Sequence, residues 1–287
     1  MSTFDPQSYW DARHTRRYGP ESVGYAGLGV PFNVWMYRVR AHVVERELRE
    51  SGIDVARSDV LDIGSGTGFY IALWERLRAK TITGSDFAPF AVRALKEKFP
   101  SHRFVELDIT SDSLPAAVGA FDVISAFDIF YHIVADASYE QAVRNIRSHL
   151  RPGGYFVFSE NLMRDARESG EHQVSRTCAE ITALLEREGF EVLRRAPVFF
   201  LMNRPLKSSS RFLSASWRAI RRITSMHDRP QLSHWLGAAL YPIELVSLRF
   251  VSRGPSTEMM ICRAPARAAE ASRRRPAVRR PDIPASG

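Results

Sequence analysis

From residue 58 onward, short apolar runs alternate with amphipathic stretches, and no other feature restricts this chain so strongly. A strand apolar on both faces must be covered on both, and helical crossovers between successive strands do this, so the pattern calls for a mainly parallel sheet between helices. Strands are expected at Val60 to Ile63, Thr81 to Ser85, Arg103 to Leu107, Phe121 to Phe127 and Tyr155 to Ser159, with Glu191 to Phe200 and Met259 to Arg263 completing the set. Helices are expected at Phe69 to Arg78, Pro89 to Lys98 and Tyr139 to Leu150. Pro152-Gly153-Gly154 marks the step from helix to strand, and Thr177 with Glu180 has the spacing of a capping box that opens another helix.

Outside this core lie three segments. Residues 1–50 look helical, with Phe32, Trp35, Val39 and Val43 at helical spacing, and are expected to cap one edge or the mouth of a site. Residues 203–250 form a mostly helical insertion within the unit 51–263. Its apolar run from Leu232 to Phe250 is broken by His234, Pro242, Glu244 and Arg249, too often for a membrane span of about 20 apolar residues. Residues 264–287, rich in Ala, Arg and Pro, have the composition of a disordered basic tail.

Charge is local. Of the net +8, residues 264–287 carry +4 and residues 203–229 carry +6, leaving −2 for the remaining body. That distribution weighs against a nucleic-acid surface spread over the fold. Cys178 and Cys262 form no metal or disulfide spacing, so no metal site is expected. The first residues combine acids and aromatics where a secretion signal needs a basic start and an apolar run, which points to a cytoplasmic protein.

Gly64-Ser65-Gly66-Thr67-Gly68 follows the first strand and opens a helix, placing bare backbone where a ligand can approach closely. A dinucleotide fingerprint wants Gly or Ala five positions after its first Gly; here that position is Phe69, which disfavours NAD. Asp62, just before the loop, suits a ligand that brings positive charge. Asp86 ends the second strand about 20 residues beyond the loop, where a carboxylate can accept both hydroxyls of a ribose or cap the next helix. Phe87 beside it offers a flat face to an adenine ring. Asp108 follows the third strand, at the sheet edge where open α/β folds bind ligands, and a turn role is its alternative.

Taken in order, VLDIGSGTG, GSDF, ELDI, FDVISAFDIFYHI and LRPGGYFVFSE resemble the successive motifs of the class I methyltransferases that use S-adenosylmethionine (SAM). The resemblance covers residues 58–200 and the final strand. It implies a Rossmann-like seven-stranded mixed sheet, helices on both faces and the last strand antiparallel. It also implies that Asp62 and Gly64 to Gly68, with Ser65 and Thr67, hold the methionine part of SAM. Asp86 would take the ribose, Phe87 and Ile109 would flank the adenine, and Asp108 would meet its amino group, with Phe127 completing the cofactor set. The segments 1–50 and 203–250 depart from the shared core and would build the acceptor pocket.

Methyl transfer from a sulfonium is an in-line displacement, so alignment is the main contribution asked of the protein. A hydroxyl or ammonium acceptor also needs a base, and His132, just past the fourth strand, is the first candidate, with a structural role as its alternative. Asp128 and Glu160 are the other two. Tyr9, Trp10, Arg13, His14 and Tyr18 are candidates for a lid over the donor. Residues 211–226 place Leu213, Trp217 and Ile220 on one stripe flanked by arginines, suited to a membrane surface or to packing on the body of the protein. The expected function is methylation of a small molecule or glycan, with a nucleic-acid methyltransferase or a non-catalytic SAM-binding protein as alternatives. No (D/N/S)PP(Y/F) motif or Pro-Cys nucleophile is present to support DNA methylation.

Overall fold

A computed structural model describes residues 26–170, 172–226 and 229–266. The candidate lid residues 9–18 and nearly all of the basic tail lie outside the described residues.

Seven strands form one sheet in the order β3-β2-β1-β4-β5-β9-β8. These are β1 (Asp59–Ile63), β2 (Thr81–Asp86), β3 (Arg103–Glu106), β4 (Phe121–Ala126), β5 (Leu150–Glu160), β8 (Glu191–Pro197) and β9 (Glu258–Arg263). The first five pair in parallel, whereas β9 runs antiparallel to both of its neighbours, β5 and β8. The order reverses at β1, so β1 and β4 leave a crevice at their C-terminal ends, the place where open α/β sheets bind ligands.

Helices α1 (Gly29–Glu50), α2 (Phe69–Arg76) and α3 (Pro89–Lys98) cover one face through Phe32, Val39, Ile71, Trp74 and Leu95, all buried. Helices α4 (Asp136–His149) and α5 (Cys178–Arg187) cover the other through Tyr139, Ile146, Ile181 and Leu185. The capping box opening α5 is present in full: Glu180 N–H donates to the Thr177 hydroxyl, and Thr177 N–H donates to the Glu180 carboxylate.

One expectation needs correction, one element is new, and one open choice is decided. Pro152-Gly153-Gly154 does not separate α4 from a later strand, because β5 begins at Leu150 and absorbs all three residues as a bulge against β4, where pairing steps from Phe121↔Leu150 to Val123↔Tyr155. A β-carbon on Gly154 would lie 2.9 Å from the Asp122 carbonyl oxygen, so the bulge needs glycine there. A two-stranded ribbon, β6 (Glu168–Ser169) with β7 (Val174–Ser175), follows β5; strands of two residues carry no periodicity to read. The insertion is helical as expected, giving α6 (Arg211–Thr224) and α7 (Pro230–Phe250), but the α6 stripe of Leu213, Trp217 and Ile220 is buried and unavailable to a membrane.

Helix α7 lies across α1. Gly237 permits the crossing, since a β-carbon there would meet Trp35 at 2.4 Å, and the Trp35 ring stands 5.4 Å from His234 and 5.5 Å from Tyr241. The buried Glu244 carboxylate accepts the backbone N–H groups of Phe200 and Leu201, fastening α7 to the chain leaving β8. Among the described residues no helix is long and apolar enough to cross a membrane.

Candidate SAM and acceptor site

The glycine loop turns directly off β1. Ser65 N–H donates to the Ser85 carbonyl at 2.8 Å, and Gly68 N–H donates to Ser65 O at 2.8 Å, so the loop is stitched to β2 and closed on itself. Gly66 N–H donates to Asp86 Oδ2 at 2.9 Å, while Ala88 N–H donates to Asp86 Oδ1 at 3.0 Å. Asp86 therefore ties loop, strand and the entry to α3 together at the position expected for a ribose contact. Phe87 next to it is half-buried.

Glycine is required at two loop positions for reasons inside the protein. At Gly64, with φ +67°, a β-carbon would stand 2.2 Å from Ile129 Cδ1; at Gly68, with φ +84°, it would stand 2.3 Å from Phe99 Cε2. The expected collision of a β-carbon with ligand is thus preceded by a collision with the protein's own side chains. Thr67 is buried, and its carbonyl accepts the Lys98 ammonium at 2.8 Å.

Asp62 is the least satisfied group in this region. Ser125 donates its hydroxyl to Asp62 Oδ1 at 2.6 Å and accepts from Trp74 Nε1 at 3.2 Å, which orients it. Asp62 Oδ2 is buried without a hydrogen-bond partner. Burial, opposed by the hydrogen bonds, pushes the carboxyl up to about 6. At the foot of the glycine loop Asp62 is therefore a buried acid with one oxygen unpartnered within the protein.

Asp108 is exposed and its Oδ1 accepts the N–H and hydroxyl of Thr110 at 2.8 Å and 2.7 Å, an Asx turn that leaves Ile109 buried behind it. The buried ring of Phe127 stacks on Tyr70 at 4.2 Å.

Beyond β4 the chain takes an uncommon conformation. Asp128 has φ +59°, and its N–H donates to Ser159 Oγ at 2.7 Å. The Ser159 hydroxyl donates to Asp128 Oδ1 at 3.1 Å, and Arg40 Nε donates to Asp128 Oδ2 at 2.9 Å. Burial opposes the Arg40 charge, but the Asp128 carboxylate together with Tyr70, Tyr37 and Tyr131 outweighs it and holds the guanidinium above its ordinary range. The same Arg40 lies over the Phe199 ring at 4.8 Å and the Tyr37 ring at 5.4 Å. Tyr131 and Tyr70 are kept neutral, first by burial and then by the Asp128 charge.

Of the three candidate bases, Asp128 is thus an ion-pair partner. Glu160 is fully buried, with Asn161 N–H donating to Oε1 at 2.7 Å and the Tyr139 hydroxyl to Oε2 at 3.3 Å. Burial pushes it up to about 8, so it holds its proton at neutral pH and presents no surface to an acceptor. His132 is half-buried in the 3-10 turn Phe130–His132, with Nδ1 3.3 Å from the His172 carbonyl and its ring parallel to that of His172 at 6.3 Å. Sequence reasoning missed Arg40, Tyr37, Ser125 and Ser159. Nothing in the local pattern of α1 distinguishes Arg40 from the other arginines of that helix.

Residues 60–154 match the family described as a methyltransferase domain. The malonyl-[acyl-carrier protein] O-methyltransferase of Serratia marcescens is 27% identical over 137 residues, 46% of this chain and 51% of its own length. The mRNA cap guanine-N(7) methyltransferase of Caenorhabditis elegans is 24% identical over 140 residues, 44% of this chain and 36% of its own. This chain thus spans about half or less of the curated relatives it matches. The crystal structure of magnesium protoporphyrin IX methyltransferase from Synechocystis PCC 6803 with bound SAM superposes with a TM-score of 0.54 at 14% identity, covering 92% of this chain and 99% of that one, a likeness of fold alone.

Fold and strand-end loop define a Rossmann-like α/β protein with a ligand crevice at its switch point. Residues 60–154 match a methyltransferase domain, the fold around them is that of SAM-dependent methyltransferases, and SAM is the cofactor that this match supports. The expectation that a nucleic-acid acceptor is disfavoured finds no support, because one relative is named for an RNA cap.

Proposed function

We propose that this protein methylates a hydroxyl or amine of a small-molecule or glycan acceptor, in the cytoplasm, at the crevice beyond β1 and β4. The observation that carries the reading is the Arg40–Asp128 pair, in which α1, an addition to the shared core, reaches the end of β4 beside the cofactor loop. Strained backbone such as that of Asp128 is kept where surrounding structure overdetermines it, commonly at functional sites.

When bound, SAM supplies a methyl group on a sulfonium centre, open to in-line displacement by an acceptor lone pair. Asp62 Oδ2 would meet the cationic amino acid end, with Gly64 to Gly68 offering backbone beside it. Asp86, Phe87, Asp108 and Ile109 would hold the nucleoside end. His132 would take the acceptor proton, since Asp128 is neutralised by Arg40 and Glu160 is buried and protonated. Alignment of donor and acceptor, worth several kcal/mol in general, would be the larger contribution.

The test is mass spectrometry of metabolite extract incubated with purified protein and SAM. A species one methyl group heavier than its parent is expected, and His132→Asn should lower kcat with little change in the SAM dissociation constant. Bound SAM with no methylated species would leave the non-catalytic alternative. An RNA acceptor is the second reading, favoured by the RNA-cap relative; methylation of total RNA, with none in the metabolite fraction, would install it instead.

A further inference from the structure

Helix α7 is apolar beyond the face it packs on its own protein, where Leu236, Leu240 and Tyr241 lie against the core. Its buried positions are Ser233, Gly237, Glu244 and Leu248, mostly small or polar, while Leu232, Trp235, Ile243, Val246 and Phe250 are exposed. The exposed set recurs at intervals of 3, 8, 3 and 4 residues, which keeps it on one stripe at 3.6 residues per turn. Trp235 is 68% and Phe250 83% exposed, and the stripe runs most of a helix of 21 residues, about 30 Å at 1.5 Å per residue. Lone apolar side chains on a surface need no explanation, but a continuous aromatic and aliphatic stripe does.

The exposed charge of α7 and of the helix packed on it is of one sign. Helix α6, packed against α7, exposes Arg211, Arg218, Arg221 and Arg222, and Arg249 flanks the stripe on α7 itself. The single carboxylate on either helix is Glu244, which is buried and committed to two backbone N–H groups. Among the described residues no acid pairs with Arg218, Arg221 or Arg222. These three converge with Gly27 and Ser225 on a hollow of about 300 Å³, large enough for a phosphate-bearing headgroup.

We infer that the exposed face of α7, with the arginines of α6, docks this protein on an anionic lipid surface. An apolar face carrying Trp and Phe seats at the acyl boundary, and arginines beside it pair with lipid phosphates. A second copy of the chain is the poorer occupant: symmetric contact would set one arginine cluster against another with no exposed acid on α6 or α7 to relieve it. The inference needs no assumption about the methyl acceptor.

The test is co-sedimentation of the full chain with vesicles of phosphatidylcholine alone or mixed with phosphatidylglycerol. Binding to the anionic vesicles is expected to be at least about tenfold stronger. Trp235→Glu with Phe250→Glu should remove it without altering the melting temperature, both residues being exposed. Arg218→Gln, Arg221→Gln and Arg222→Gln together should abolish the preference for anionic lipid. Absence of binding to anionic vesicles overturns the proposal. So does binding that survives the Trp235/Phe250 variant, which would assign it to the basic C-terminal segment. A dimer seen by light scattering without lipid and dissolved by the same variant would make a second copy the occupant and equally overturn it.

Discussion

Arg40 on α1 and Asp128 just past β4 are 88 residues apart in sequence and joined by a hydrogen-bonded ion pair of 2.9 Å. Both side chains are mostly shielded from solvent, so the pair acts as a clamp between the N-terminal helix and the sheet edge that carries the cofactor crevice. Removing one partner leaves the other charge poorly solvated. Arg40→Ala should cost about 2 kcal/mol in urea unfolding, with a similar loss for Asp128→Ala and much less than the sum for the double variant. Additive losses would show that the clamp carries no coupling.

Gly64→Ala forces a side chain into the space of Ile129 at a position with φ +67°. The backbone contribution alone is about 1–2 kcal/mol, and the clash adds to it. Ile129→Ala should recover the clash part in a double variant while leaving the backbone part. No recovery would place the strain elsewhere in the loop.

SAM affinity should depend on the ionisation of Asp62. Its carboxyl sits near 6, so at lower pH a proton occupies the oxygen that a cation would meet and must leave when the cation binds. Calorimetry should show affinity rising as pH increases through about 6 and levelling above it. Asp62→Asn should bind more weakly, by about tenfold or more, and lose this pH dependence.

Glu160 gives the opposite slope for folding. Its pKa is raised from 4.5 to about 8 by burial, so the native state retains a proton that the unfolded chain releases. The stability tied to that proton is fully present below 4.5 and is lost as pH rises through 8. Glu160→Gln, which keeps an oxygen for the Asn161 N–H, should flatten the decline between those values and be the more stable protein above pH 8 by more than about 1 kcal/mol. Parallel stability curves for the two proteins would contradict the burial argument.

Asp86 accepts Gly66 N–H and Ala88 N–H, so Asp86→Ala removes a candidate ribose contact and loosens the loop together. SAM binding should fall by about a hundredfold, with melting reduced by no more than a few degrees. Full affinity in this variant would remove Asp86 from the cofactor site.

The parallel sheet, the place of the glycine loop at its switch point and the acids at successive strand ends were legible along the chain. They are set by local periodicity and by short spacings that a strand-turn-helix imposes. Partnerships across long separations were not. Whether Asp128 is a free base or a clamped ion, whether the Phe127 ring stacks on Tyr70, and which side of α6 is buried depend on what arrives from elsewhere. Local sequence determined which backbone each segment would adopt, because dihedral preference and apolar period are properties of neighbours. Tertiary structure alone decided which carboxylates are buried, paired or left bare, because desolvation and Coulomb energy depend on distances that only folding closes.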